Sequence, residues 1–228
     1  MKIKTLDEQS LVSACRKITA ADSDLAFIFR TYGTPPLWRR EPDFATLVHI
    51  ILEQQVSLAS ALSAFNKLKE KLGEITPEAV LNLSGEELKA AYFSRQKTVY
   101  ARALARAILD GNLDLKSLEN LPDAEAKHEL KKIKGIGDWT ADIYLLMAMR
   151  RADVMPKGDL ALHVAWKKLK NLERAPGSDE FQQIAEKWKP LRAAAARLLW
   201  HFYLSERKVS AAQGHEKTRK KKIPKIKG

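Results

Sequence analysis

The residues whose spacing holds the most chemistry lie between 130 and 159. Gly135 and Gly137 flank Ile136, and a helical pattern begins just behind them, with Trp139, Ile143, Leu146, Met147 and Met149 at apolar positions between Asp138 and Arg150. Glycine permits the positive φ that a tight turn needs and lets a second backbone come close. The first turn of the following helix should aim unpaired N–H groups at that turn. Such a terminus attracts anions through hydrogen bonds and its dipole. A nucleic-acid phosphate fits, in a contact that carries no sequence information. Further on, Met155-Pro156-Lys157-Gly158-Asp159 sets one carboxylate just past a Pro-Gly turn. A phosphate clamp followed by a lone acid suits chemistry on DNA. Taken singly, each feature has a plainer account: a glycine-capped turn between helices, and an N-cap for the helix that starts at Leu160.

These residues must be positioned by helices, because no segment alternates with period two and no sheet of any size is expected. Periodicity and caps predict helices over Leu6–Ile18, Asp24–Tyr32, Asp43 to about Gln55, Ser57 to about Leu72, Glu86–Phe93, Arg95–Leu109, Leu160–Leu172, Asp179–Trp188 and Leu191–Ser205. Thr76-Pro77 pairs a cap with proline at the first helical position, Ser84-x-x-Glu87 reads as a capping box, and Pro122 opens the helix before the glycine turn.

Leu130-x-x-Ile133-Lys134-Gly135-Ile136-Gly137-x-Trp139-Thr140-Ala141 resembles the helix-hairpin-helix of DNA glycosylases. With Pro156-x-Gly158-Asp159 behind it, the chain resembles the helix-hairpin-helix-GPD superfamily, and within it the 3-methyladenine DNA glycosylase II branch. The likeness runs from about Pro42 to Leu204. Upstream it includes Phe44-x-x-Leu47-Val48-x-x-Ile51-Leu52-x-Gln54-Gln55-Val56-Ser57. Downstream it includes Trp188-Lys189-Pro190-Leu191-Arg192, with Ala195 and Trp200 beyond. The resemblance implies an all-α fold of two helical lobes around a cleft, without the N-terminal β domain of longer relatives. Residues 1–205 would form the glycosylase domain, with its hairpin motif at about 122–150, and 206–228 a basic, disordered tail.

It also implies roles. Asp159 matches the catalytic aspartate. Breaking an N-glycosidic bond builds positive charge on the sugar, which a fixed carboxylate stabilises, or it activates a water. The base must first be turned out of the duplex, and Gln55, beside Gln54, stands where the family has its intercalating wedge, leucine in some relatives. Lys134, Gly135, Ile136, Gly137 and Thr140 would hold DNA with those glutamines. Trp139 and Trp200 match aromatic pocket positions, with Tyr144 a further candidate and Phe202 and Trp38 weaker ones. A base alkylated to a cation stacks well on such rings. Relatives with a pocket tyrosine have it where this chain has Ile143, or beside Trp200 where it has His201. Trp139 also stands where bifunctional relatives such as endonuclease III have a nucleophilic lysine. Hydrolysis that leaves an intact abasic site is therefore expected, without lyase activity.

The iron–sulfur cluster of some relatives needs four cysteines, and the chain has one, Cys15, read as buried packing. No cofactor is expected beyond the monovalent cation that relatives bind at hairpin carbonyls. His49, His128, His163, His201 and His215 show no metal-ligand spacing, and His163, one turn past Asp159, is within reach of that acid. Arg192 reads as half of a structural ion pair. Net charge is +12, of which residues 211–228 contribute +6 from seven Lys/Arg and Glu216, so both body and tail would attract a polyanion. No apolar run is long enough to span a bilayer and no signal-peptide pattern is present. The expected setting is cytoplasmic, the form monomeric, and the partner duplex DNA with alkylated bases, not a membrane. Two other readings stay open: a glycosylase for another purine lesion, and a non-catalytic DNA-binding module.

Overall fold

Side-chain caps written into the sequence start most of the helices. The computed structural model describes residues 4–221, with side chains as far as Lys208. Twelve α-helices lie among these residues: Glu8–Ala21 (α1), Ser23–Tyr32 (α2), Phe44–Glu53 (α3), Leu58–Leu72 (α4), Pro77–Asn82 (α5), Gly85–Ala90 (α6), Arg95–Leu109 (α7), Asp123–Lys131 (α8), Asp138–Met147 (α9), Leu160–Leu169 (α10), Ser178–Ala185 (α11) and Arg192–Lys221 (α12). Short 3-10 turns occupy Ser117–Asn120 and Glu186–Trp188. Asp43, Ser57, Thr76, Ser94 and Asp159 each accept a first-turn N–H of the helix that follows. Ser84 and Glu87 form the expected capping box. Such caps satisfy donors that a helix leaves unpaired, each contributing about 1 kcal/mol.

The chain divides into two compact units. The first comprises Met1–Asp7 and Leu37–Gly158. Its centre is α3, whose Leu47, Val48, Ile50, Ile51 and Leu52 are buried and which packs against α4, α7 and α9. Each such side chain contributes about 1.5–3 kcal/mol through burial. Arg151 is buried too, and its guanidinium donates to the carbonyls of Leu118, Glu119 and Leu121, closing the first 3-10 turn. The bridge Thr5–Arg151 is the only β pairing among the described residues.

The second unit comprises Glu8–Pro36 and Asp159–Gly228. Here α12 packs on α1, α2 and α10 through Ala193, Ala194, Ala195 and Ala196, followed by Leu198 and Leu199. Cys15 lies in this core, where burial pushes its thiol up to about 12. Arg192 pairs with Glu186 at 3.2 Å, the structural ion pair expected.

Several boundaries differ from the periodic reading. The helix after the glycine turn stops at Met147, because Arg150 takes a left-handed φ of 56°. Asp179–Trp188 splits into α11 and a 3-10 turn, and α10 ends at Leu169 rather than Leu172, just before left-handed Asn171. The last helix continues to Lys221 rather than ending at Ser205. Its added residues are mostly Ala, Gln, Glu, Lys and Arg, good helix formers that absorb the lone Gly214. The first part of the basic tail therefore has a helical backbone, and 222–228 lie outside the described residues.

Candidate active site and nucleic-acid interface

The glycine hairpin is anchored from beneath by Leu130, Ile133 and Ile136, all buried between α8 and α9 in the first unit. Gly135 adopts φ +97°, and a Cβ there would also collide with the Tyr100 ring from α7. Only glycine meets both conditions. Gly137 differs: its φ is −96° and a Cβ would meet nothing within 4 Å. Nothing among the described residues demands glycine at 137. No side chain caps α9 at its N-terminus. Asp138, in that first turn, is held by Lys131 at 2.8 Å and Lys127 at 3.2 Å. The Lys131 hydrogen bond, foremost, lowers its pKa. Lys134 is exposed at the tip.

The hairpin is braced by a residue expected to touch DNA. Gln54 Nε2 donates to the Gly135 carbonyl at 2.8 Å and to Thr140 Oγ1 at 2.9 Å. Thr140 is only 2% exposed. The Ile136 N–H donates to the Ile133 carbonyl at 3.0 Å. Gln54, Thr140 and Ile136 therefore direct these groups inward, where their hydrogen bonds are already made. Gln55, the wedge candidate, is exposed with φ +57°, a left-handed conformation that costs a non-glycine residue about 1 kcal/mol or more. Apolar Val56 and Leu58 beside it are 45% and 63% exposed.

Asp159 lies in the second unit, at the N-terminus of α10. One of its oxygens, Oδ1, accepts the Leu162 N–H at 3.0 Å and the Trp200 indole N–H at 3.1 Å. Asp159 as a whole is 7% exposed. The plain cap and the functional partner are thus the same group. His163, one turn along, is buried with its ring against Phe181. Burial lowers its pKa, against the opposing charge of Asp159. His201 bonds the Tyr32 carbonyl at 2.8 Å and serves the scaffold.

The aromatic candidates separate by burial. Trp139, in the first turn of α9, is half-buried, as is Trp38. Tyr144 is wholly enclosed in the first unit and Phe202 packs edge-on to Tyr32 in the second. Both are enclosed, and Trp200 at 7% exposed is nearly so; the apolar stripe of a helix and an aromatic pocket wall look alike in sequence. Ile143 is buried as well.

Residues 48–190 match the family described as HhH-GPD superfamily base excision DNA repair protein. The chain belongs to the HhH-GPD superfamily. The matched span takes in Gln54 and Gln55, the hairpin and Asp159. A relative is DNA-3-methyladenine glycosylase 1 of Schizosaccharomyces pombe, 31% identical over 71% of this chain and 72% of its own length. Another is a DNA-3-methyladenine glycosylase of Bacillus subtilis, 30% identical over 75% of this chain. The chain spans only 58% of that relative's length. Among solved structures, an S. pombe 3-methyladenine DNA glycosylase in complex with abasic DNA superposes with a TM-score of 0.76 at 28% identity, over 82% of this chain and 95% of that one.

This HhH-GPD chain uses residues that the motif did not point to. Buried Asp142 on α9 accepts the Lys157 N–H at 3.0 Å and Lys127 Nζ at 2.9 Å. Burial raises its pKa, against those donors. It tethers the loop that turns through Gly158, at φ +78°, immediately before Asp159 in sequence. An acid inside an otherwise apolar helix was the available signal. Lys97 and Tyr100 of α7 carry no such mark. Among the described residues no three His, Cys, Asp or Glu are placed to hold a metal ion, and no helix is long and apolar enough to cross a membrane.

Proposed function

We propose that the chain is a monofunctional DNA glycosylase of base excision repair. It hydrolyses the N-glycosidic bond of alkylated purines, 3-methyladenine and 7-methylguanine, turned out of duplex DNA, and leaves an abasic site. The observation that carries this reading is Asp159, held at a helix N-terminus by two donors on one oxygen, one of them the Trp200 indole. Two fixed donors set the carboxylate's orientation before substrate arrives, so little reorganisation accompanies charge development on the sugar. An alkylated purine is a cationic leaving group, so modest stabilisation suffices.

Lys134 and Gln55 are exposed. Lys134 and the uncapped first turn of α9 take a phosphate, and the missing side chain of Gly137 lets it approach. Gln55 enters the stack that the base vacates. Trp139 and Trp200 provide the aromatic faces, and neither is a nucleophile, which supports hydrolysis without strand cleavage. The enzyme acts as a monomer in the cytoplasm, where duplex DNA is the substrate.

Incubation with methylated duplex DNA, followed by chromatography of free bases with and without hot alkali, tests the proposal. Free methyladenine with strand breaks only after alkali is expected. Breaks without alkali would indicate a lyase, and no base release a binding module.

A further inference from the structure

Gln54 does more than end α3. Its backbone N–H closes the helix on Ile51, and the next residue, Gln55, turns left-handed. Its side chain reaches the hairpin, and its Nε2 donates to two acceptors, the Gly135 carbonyl and the Thr140 hydroxyl oxygen. The same turn is held from another side: Lys97 Nζ donates to the Leu52 carbonyl at 2.6 Å, satisfying an orphan acceptor at the end of α3. Three residues further along α7, on the same helical face, Tyr100 packs against Gly135. Thus α7 buttresses the end of α3 through Lys97 and the hairpin through Tyr100, while Gln54 ties these two points together. All of these groups belong to the first unit.

We infer that Gln54 is a positioning residue that fixes the spacing between the Gln55 turn and the glycine hairpin, so that filling the base stack and gripping the phosphate act as one event. This rests on the proposed glycosylase function. Extruding a paired base requires the wedge to enter the stack while the backbone is held, and two attachment points that shift relative to each other cannot do both. A lesion that is already unstacked has little need of that coupling. The Gln54 amide fits the task because one end of a single rigid group is shared by a backbone atom of the hairpin and a side chain of the helix behind it.

The test uses a short oligonucleotide with one adenine, methylated, and annealed to a complement that carries either thymine or a tetrahydrofuran abasic analogue opposite. Single-turnover release of 3-methyladenine is measured for the full-length protein and for Gln54→Ala. The variant should lose about tenfold on the paired lesion and less than about threefold on the unpaired one, since misplacement penalises the step that needs exact geometry. Gln54→Glu has the same length but sets carboxylate oxygen against the Gly135 carbonyl, and should show the same ratio. Equal losses on both duplexes, or no loss on the paired one, would overturn the inference while leaving the glycosylase reading intact. If the unaltered protein releases no base from either duplex, that reading fails and takes this one with it.

Discussion

The Trp200 indole N–H donates to Asp159 Oδ1 at 3.1 Å, on the oxygen that already accepts the Leu162 N–H. An aromatic face and a carboxylate assigned separate roles are therefore one mechanical assembly within the second unit. Moving the ring moves the acid, and both are braced by the first turn of α10.

Asp159→Asn keeps the oxygen that accepts both donors, so the fold and the DNA affinity should persist. Release of methylated purines should fall by at least about a hundredfold, the scale of losing a positioned electrostatic group. Excision at the unaltered rate would remove Asp159 from the chemistry. Trp200→Phe removes the indole hydrogen bond and keeps a smaller aromatic face. It should lower the excision rate by about tenfold while undamaged duplex binds as before. A matching loss of undamaged-duplex binding would mark Trp200 as scaffold.

The two hairpin glycines should respond in opposite ways. Gly135→Ala meets a left-handed φ and the Tyr100 ring together, and should destabilise the protein by about 2–4 kcal/mol in urea titration. Gly137→Ala meets neither obstacle, so its midpoint should stay within about 0.5 kcal/mol of the parent. Duplex binding should nevertheless weaken, because the methyl group occupies the approach of the phosphate. Unchanged binding by Gly137→Ala would move the clamp elsewhere.

Affinity for undamaged duplex should fall steeply with salt, since each phosphate contact releases counterions. Lys134→Ala should reduce the slope of log K against log salt by about 1 and weaken all sequences alike. An unchanged slope in the variant would place Lys134 off the DNA.

Burial holds His163 and His49 below their ordinary value of 6.5, against the charges of Asp159 and Glu53 respectively, and with Arg40 adding to the depression at His49. Between those lowered values and 6.5 the unfolded chain binds more protons than the folded one. Stability therefore rises with pH through that window and is lost as pH drops below about 6.5. Urea midpoints should be lower at about pH 5.5 than at about pH 7.5, and His163→Leu should flatten the difference. A midpoint independent of pH in the parent would show that neither imidazole is kept neutral by burial.

Helix starts were legible because a cap is a local interaction: Asp43, Ser57, Thr76, Ser84, Ser94 and Asp159 each act on donors within three residues. Helix ends were less so. Arg150 and Asn171 turn left-handed without a glycine to announce it, and α12 has no breaker strong enough to stop it at Ser205. The aromatic residues show the same divide. Tyr144 and Trp139 lie on one helix, yet one is enclosed and the other half-buried. A helical period reports which residues face inward together but not how deep each one lies.

Sequence alone determined the helical class, the hairpin, the lone acid behind the Pro-Gly turn and the family to which they belong, since each rests on residue types at short, fixed spacings. Tertiary structure decided which polar groups remain available. Gln54 and Thr140 read as DNA contacts until an 81-residue separation closed to 2.8 Å at Gly135, and Trp200 joined Asp159 across 41 residues. A side chain's partners depend on packing between distant segments, and that packing is a property of the whole folded chain.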